Sequence, residues 1–298
     1  MKKVKSANHK RDRQAYLYLL PWIIGMLLLQ ITPFVTSFYY SLTDFNPVSR
    51  NINFIGFENY IQLFTRDVEF FQSLRATIMY AVYTVPAKII MSLLIALLLS
   101  KARTGIGILR TVYYLPSLFG GSVAVAILWR LMFMDQGIVN SWLATLGISR
   151  ISFLGDPRFA LPTLSSLEVW QFGSSMVMYL AALKQVPQAL YEAADIDGAS
   201  KIAQFFKITI PQISPVIFFT IIMQTIVALQ TFTSAFIITN GGPVRSTYML
   251  GLKLFNDGFN QFRMGYASAT SWVIFLLVLI FTLIMFGTSK FWVFYGDE

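Results

Sequence analysis

Two ionisable side chains, Lys88 and Glu168, stand inside apolar stretches of the chain. A charge at the centre of a bilayer costs roughly 2.5–3.5 kcal/mol on insertion scales, so such residues seek a protein interior, a partner or water rather than lipid. Lys88 lies about twelve residues from the outer end of its stretch and Glu168 about eight, which at about 1.5 Å per residue puts them within ~6 Å of one depth. On one reading they approach each other or line a single water-filled cavity. On the other, each pairs separately or snorkels to an interface. Polar and aromatic residues gather around Glu168 and on the following stretch: Trp170, Gln171, Ser174 and Ser175, then Gln224, Gln230, Thr231 and Thr233. Amides, hydroxyls and flat aromatic faces suit a neutral polyhydroxyl solute better than an ion. The plainer use of the same groups is hydrogen bonding between helices, worth about 0.6 kcal/mol per bond.

Catalytic chemistry finds little support. The single histidine, His9, sits in a basic tail and cannot form a zinc-binding pair, and the absence of cysteine excludes disulfides and thiolate metal sites. No Gly-Lys dipeptide occurs, so the phosphate-cradling loop is missing. Asp195 and Asp197 form a carboxylate pair, but two residues apart on a helix they point to different faces. No catalytic residue and no metal ligand is assigned, and no cofactor is expected on this chain.

The elements that must position these groups are membrane helices. Hydrophobic residues make up 56% of the 298 and charged residues only 12%, about half the charge of a soluble domain. The sequence predicts an all-α integral membrane protein with six transmembrane helices, near 17–40, 76–100, 111–133, 160–183, 214–238 and 266–286. The basic start followed by an apolar run is read as an uncleaved anchor, because the run is too long for a signal-peptide core and no small-residue cleavage site follows. Pro33 is expected to kink that helix. A short amphipathic helix is expected near 136–146. The division is a basic tail (1–15), a first helix with an external segment (16–75), a core (76–290) holding a polar island (184–212), and a second tail (291–298). The net charge of +9 could signal a nucleic-acid partner, but the basic residues fall in loops, where topology rules place them. The N-terminal tail, the 101–110 loop, the island and Lys290 before the second tail hold 13 Lys/Arg, against seven in the three opposite loops. Both termini and the island are therefore expected in the cytoplasm.

The island centres on Glu192-Ala193-Ala194-Asp195-Ile196-Asp197-Gly198 and ends at Ile208-Thr209-Ile210-Pro211. Glu192, Ala193 and Ala194 are good helix formers, and Gly198 is placed to end a helix in the left-handed conformation. The adjacent alanines leave a shallow face that another protein can approach closely. A plain solvated loop is the competing reading.

This segment resembles the EAA loop of the membrane subunits of binding-protein-dependent ABC importers. That pattern is E-A-A, three residues, G, nine residues, I, one residue, L-P. Here Ile210 stands where leucine is usual. Further stretches are similar to the carbohydrate-importing branch, of the maltose-permease "F" type. They are Phe54-Ile55-Gly56-Phe57-Glu58-Asn59-Tyr60, Asp197-Gly198-Ala199-Ser200, Thr239-Asn240-Gly241-Gly242-Pro243 and Met264-Gly265-Tyr266-Ala267-Ser268-Ala269.

The resemblance implies the ABC type I importer permease fold in a bacterial or archaeal cell membrane. It implies a second homologous permease subunit, two cytoplasmic ATPase subunits that hold ATP and Mg, an extracellular solute-binding protein and a sugar or oligosaccharide substrate. It assigns Glu192, Ala193, Ala194, Asp197, Gly198 and Pro211 to ATPase coupling. The substrate pathway is expected among Trp170, Gln171, Ser174, Gln224, Gln230, Thr231, Lys88 and Glu168. Glycerol phosphate is the rival substrate, and it would ask for a free lysine or arginine in the cavity. From a different class, an ion-coupled secondary transporter would use Lys88 and Glu168 as coupling groups and should show inverted repeats, of which the sequence gives no clear sign. An integral-membrane enzyme lacks a nucleophile-and-base set.

Overall fold

The computed structural model describes residues 16, 18–49, 52–100 and 105–294. The basic tail 1–15, Lys101 and Arg103 of the basic loop, and 295–298 lie outside the described residues, as does Arg50. Among the described residues the secondary structure is helical apart from one isolated bridge between Thr43 and Phe54. Five helical stretches are long and apolar enough to cross a membrane: Tyr18–Ser41, Val68–Ser100, Val123–Thr145, Lys201–Leu229 and Met264–Ser289.

The chain divides into two compact units. The first comprises residues up to Arg66 together with Phe255–Trp272. Its first helix, α1 (Tyr18–Ser41), contains a π turn at Leu27–Ile31 just before Pro33. Proline lacks the N–H that the preceding turn's carbonyl needs, and its ring crowds that carbonyl. The wider turn makes room, with the Thr32 N–H and its Oγ1 both reaching back to the Leu27 carbonyl. The expected distortion at Pro33 thus takes the form of a π bulge. After α1 the chain turns, and the short helix α2 (Glu58–Thr65) folds back on it. Asn59 is buried and its Nδ2 donates to the carbonyls of Ser41 (2.9 Å) and Thr43 (2.8 Å), while the Tyr60 hydroxyl meets Ser41 Oγ at 2.8 Å. Gly265 N–H donates to the Phe45 carbonyl, and a Cβ on Gly265 would run into the Thr43 carbonyl. Two of the sequence motifs therefore meet at the end of α1.

The second unit is Asp67–Leu254 with Val273–Glu298. Its axis is α3 (Val68–Ser100), against which pack α7 (Pro157–Trp170), α8 (Gly173–Gln185) and α10 (Lys201–Leu229). The remaining elements are α4 (Ile106–Leu118), α5 (Val123–Phe133), α6 (Ile138–Thr145), α9 (Gln188–Ile196) and α11 (Leu250–Phe255), which precedes α12 (Met264–Ser289). α6 is the amphipathic helix expected near 136–146. Lys88 meets Glu168 and Ser92 meets Phe172, each pair 80 residues apart, so α3 runs parallel to α7 and α8 in a constant register.

Three expectations are corrected. The predicted third span is broken at Phe119–Ser122, between α4 and α5, where Gly121 takes φ +69°. The predicted fourth span is broken at Gln171–Phe172 into pieces of 14 and 13 residues, each too short to cross alone. Gly173 permits this break: a Cβ there would lie 2.6 Å from the Tyr113 carbonyl oxygen, so α4 and α8 touch backbone to backbone. The fifth helix starts at Lys201 and not after Pro211. A π turn at Phe205–Thr209 precedes Pro211 just as another precedes Pro33, and the Ile210 N–H donates to the Phe205 carbonyl. The helix passes through the proline instead of stopping there.

Candidate functional site

Lys88 and Glu168 form an ion pair with Nζ 2.5 Å from Oε1. The Lys88 side chain is 5% exposed and that of Glu168 22%. One apolar core lies before this layer, built from Tyr80 and Val85 of α3 with Leu161, Leu164 and Leu167 of α7. A second lies beyond it, built from Ala96 and Leu99 with Phe172, Met176 and Tyr179. The break between α7 and α8 falls three residues after Glu168, and Ser92 Oγ lies 3.3 Å from the Phe172 carbonyl, which also accepts from the Met176 N–H at the start of α8.

The carboxylate side of this pair opens on a cavity of about 390 Å³. Its walls come from three interruptions: Gly120, Gly121 and Ser122 between α4 and α5, Glu168 and Gln171 at the end of α7, and Gln230 to Ser234 beyond α10. Irregular backbone is tolerated at membrane depth where it is buried in protein or lines a water-filled space. The breaks serve that purpose here, since they turn backbone and short polar side chains toward one space.

Of the residues expected along a solute path, Glu168, Gln171, Gln230 and Thr231 line this cavity. Lys88 does not; it is buried behind Glu168. Gln224 donates to Ser175 Oγ at 3.1 Å, a link between α10 and α8. Ser174 is exposed on α8 away from the cavity, and Trp170 packs beside Trp129 with ring centroids 5.6 Å apart. Sequence reasoning missed Ser122, Phe232 and Ser234 as lining residues. The available signals were the glycine pair inside an apolar run and the unbroken polar and aromatic run from Gln230 to Ser234.

The polar island forms a helical hairpin. Among the described residues α9 has no buried residue; only Tyr191 and Ala194 are partly covered, and the rest of its surface is exposed. It ends in a full Schellman motif: Ala199 N–H donates to Ala194 O (2.9 Å) and Gly198 N–H to Asp195 O (3.2 Å), with Gly198 at φ +74°. Asp195 clips the hairpin shut. It accepts from Lys201 Nζ at 2.7 Å and Gln204 Nε2 at 2.5 Å, and Tyr191 bonds Thr209 Oγ1 at 2.8 Å. The Lys201 ammonium, and after it the Gln204 amide, holds the Asp195 carboxyl below the usual aspartate range. Asp197 is the residue after the last helical one and is exposed. Glu192 is exposed, as is Ala193, beside exposed Ile196, Ile202 and Phe206. The hairpin thus offers an exposed carboxylate together with exposed apolar side chains. Pro211 lies beyond it in α10, half-buried.

No group of three or more metal-ligating side chains occurs among the described residues.

Comparison with known proteins bears directly on this arrangement. Residues 66–290 match the family model of the binding-protein-dependent transport system inner membrane component. The probable ABC transporter permease protein YesP of Bacillus subtilis (strain 168) is 44% identical over 99% of this chain and 96% of its own. The trehalose/maltose transport system permease protein MalF of Thermococcus litoralis is 33% identical over 95% of this chain and 96% of its own. A crystal structure of a bacterial ABC transporter involved in import of the acidic polysaccharide alginate contains a chain that superposes with TM-score 0.83. It is 25% identical and covers 97% of this chain and 99% of that one.

Proposed function

The chain belongs to the inner membrane components of binding-protein-dependent transport systems, and on that premise we propose that it is the sugar-translocating permease subunit of an ATP-driven ABC importer. One observation carries the solute path: three helix interruptions meet around a single polar cavity. Its lining of Gln171, Gln230, Thr231, Thr233 and Ser234 offers donors and acceptors for sugar hydroxyls. Glu168 adds a strong acceptor, and its pairing with Lys88 keeps the wall free of net charge. None of the lining residues is lysine or arginine. That favours a neutral sugar or oligosaccharide, as in the trehalose/maltose relative, over glycerol phosphate. A phosphate would face an anionic acceptor and find no free cation.

Energy enters through the hairpin. On this reading α9 seats in a cleft of a cytoplasmic ATPase subunit, with Glu192 opposite a basic residue and Ala193 and Ala194 allowing close approach. Two such ATPases hold the ATP and Mg, a second permease chain completes the pathway, and an extracellular solute-binding protein delivers the sugar. On this reading the chain makes six membrane crossings, with α7 and α8 together forming one, so both termini share a side, and the Lys/Arg bias assigns that side and the hairpin to the cytoplasm. ATP binding favours one state of the ATPase pair, and that difference in affinity biases the helices between inward and outward access.

The test is ATP-driven uptake of a sugar by the assembled transporter in proteoliposomes. Glu192→Lys should abolish uptake or release the ATPase while the protein still inserts. Normal uptake and normal ATPase association in that variant, or uptake driven by a proton gradient without the ATPase, would refute the assignment.

A further inference from the structure

A second cavity, of about 440 Å³, lies between the N-terminal ends of α3 and α7 and the loop after the Gly242-Pro243 turn. Its rim carries three arginines, Arg75, Arg158 and Arg245. Arg158 is matched by Asp156 at 2.7 Å and Arg245 by Glu69 at 2.5 Å. Arg75 is exposed and has no carboxylate partner among the described residues. The rim therefore holds one uncompensated guanidinium between two others. Arg245 is held in place by a left-handed backbone, φ +58°, directly after Val244 at φ +47°. Two consecutive non-glycine residues in that region are strained, and the loop keeps the conformation that sets Arg245 at the rim.

The floor is different in kind. Met79 and Leu161 lie about one turn deeper than the arginines on their helices, and Tyr83 a further turn in. On α3, Met79 is nine residues before Lys88, which places it roughly 180° round the helix from the ion pair. On α3 the pocket therefore lies on the side opposite Lys88, whereas on α7 Leu161, seven residues before Glu168, shares the ion pair's face two turns nearer the helix start. The pocket opens onto the side of α3 where Met79, Val82, Tyr83, Ile90, Leu94 and Leu98 are exposed. A cationic rim at the start of an apolar helix, continuing into an apolar floor and then an apolar stripe, follows the polarity of a phospholipid from headgroup to acyl chain.

We propose that this pocket binds an anionic phospholipid, with its phosphate between Arg75, Arg158 and Arg245 and its glycerol and upper chains against Met79, Tyr83 and Leu161. Each basic side chain near an anionic headgroup adds about 1 kcal/mol, so loss of Arg75 lowers occupancy roughly fivefold.

The test uses the assembled transporter in nanodiscs of phosphatidylcholine containing a minor fraction of phosphatidylglycerol, with retained lipid counted by native mass spectrometry. The wild type should retain phosphatidylglycerol in preference to phosphatidylcholine. Arg75→Gln should retain roughly fivefold less, and Arg75→Lys should keep most of it, since a point charge still serves a phosphate. Excess inorganic phosphate should leave the lipid bound, because it cannot use the apolar floor. Equal retention by Arg75→Gln and the wild type overturns the proposal. So does displacement by inorganic phosphate, which would mark a simple anion site. Retention by the isolated chain but not by the assembly also overturns it, because the pocket would then be covered by the second permease subunit.

Discussion

Removing one member of the Lys88–Glu168 pair should cost far more than removing both. In Glu168→Leu the Lys88 ammonium, whose side chain is 5% exposed, is left without a counter-charge. Breaking a buried pair from one side costs about 3–5 kcal/mol. The reverse change, Lys88→Met, is milder, because the Glu168 side chain is 22% exposed and faces the cavity, where water can solvate it. A carboxylate left partly satisfied in this way costs about 1–3 kcal/mol. The double variant places two apolar side chains of similar volume in contact, and such replacements are often neutral. The expected coupling is therefore at least about 4 kcal/mol, well above the ~0.5 kcal/mol scatter of independent sites. Equilibrium unfolding of the four proteins in one detergent, by urea or heat, measures it. Additive single effects within that scatter would show that the two groups do not share a local environment, and the register of α3 against α7 would then be wrong.

Three further outcomes follow from the geometry. Asp195 is held below the ordinary aspartate range by Lys201 and Gln204; its contribution is therefore present above the ordinary value and lost as pH falls through the folded one. Protection of the amides across residues 188–204, corrected for intrinsic exchange, should fall on that acid limb, and Asp195→Asn should flatten its pH dependence. Gly198→Leu forces a branched side chain into φ +74°, at a cost of about 1–2 kcal/mol; it should loosen the hairpin in exchange measurements and weaken ATPase association without lowering membrane insertion. Gly265→Ala drives a methyl into the Thr43 carbonyl; the strain, about 1–3 kcal/mol, should appear as a lower melting temperature.

The approach of Lys88 to Glu168 is legible in the sequence because charge inside an apolar run must be answered, and two parallel runs put both groups at one depth. The end of α9 is legible too, since Gly198 is the residue that a left-handed helix stop requires. The helix breaks are not. Hydropathy averages over Gly120-Gly121 and Gln171-Phe172-Gly173, whose neighbours are apolar, and insertion depends on length rather than on continuity of the helix. Pro211 misleads for the opposite reason. A proline marks a boundary in sequence, but the π turn before it absorbs both the missing donor and the ring, and the helix continues from Lys201. The role of Asp195 is hidden until the turn at Gly198 is known, because only the reversed chain brings Lys201 and Gln204 back to it.

The same breaks explain how a cytoplasmic hairpin and a buried cavity can be linked on the proposed mechanism. α8 is a short rod of 13 residues. At one end Val186 is extended before Pro187, and the chain enters α9 at once. At the other end lie Gln171, which lines the cavity, and Phe172, whose carbonyl is held by Ser92. A continuous helix through this point would have to move as a whole, dragging Glu168 away from Lys88 and exposing a buried charge. The interruption lets α8 shift with α9 while α7 keeps the ion pair, so the motion spares the buried charge and is taken up at the Gln171–Phe172 joint, in the apolar contacts of α8 with α3 and at the Gln224–Ser175 link. The pair then acts as the fixed wall of the cavity and Gln171 as the residue placed at the joint, which is why a polar side chain that can reach solute stands there rather than within either rod.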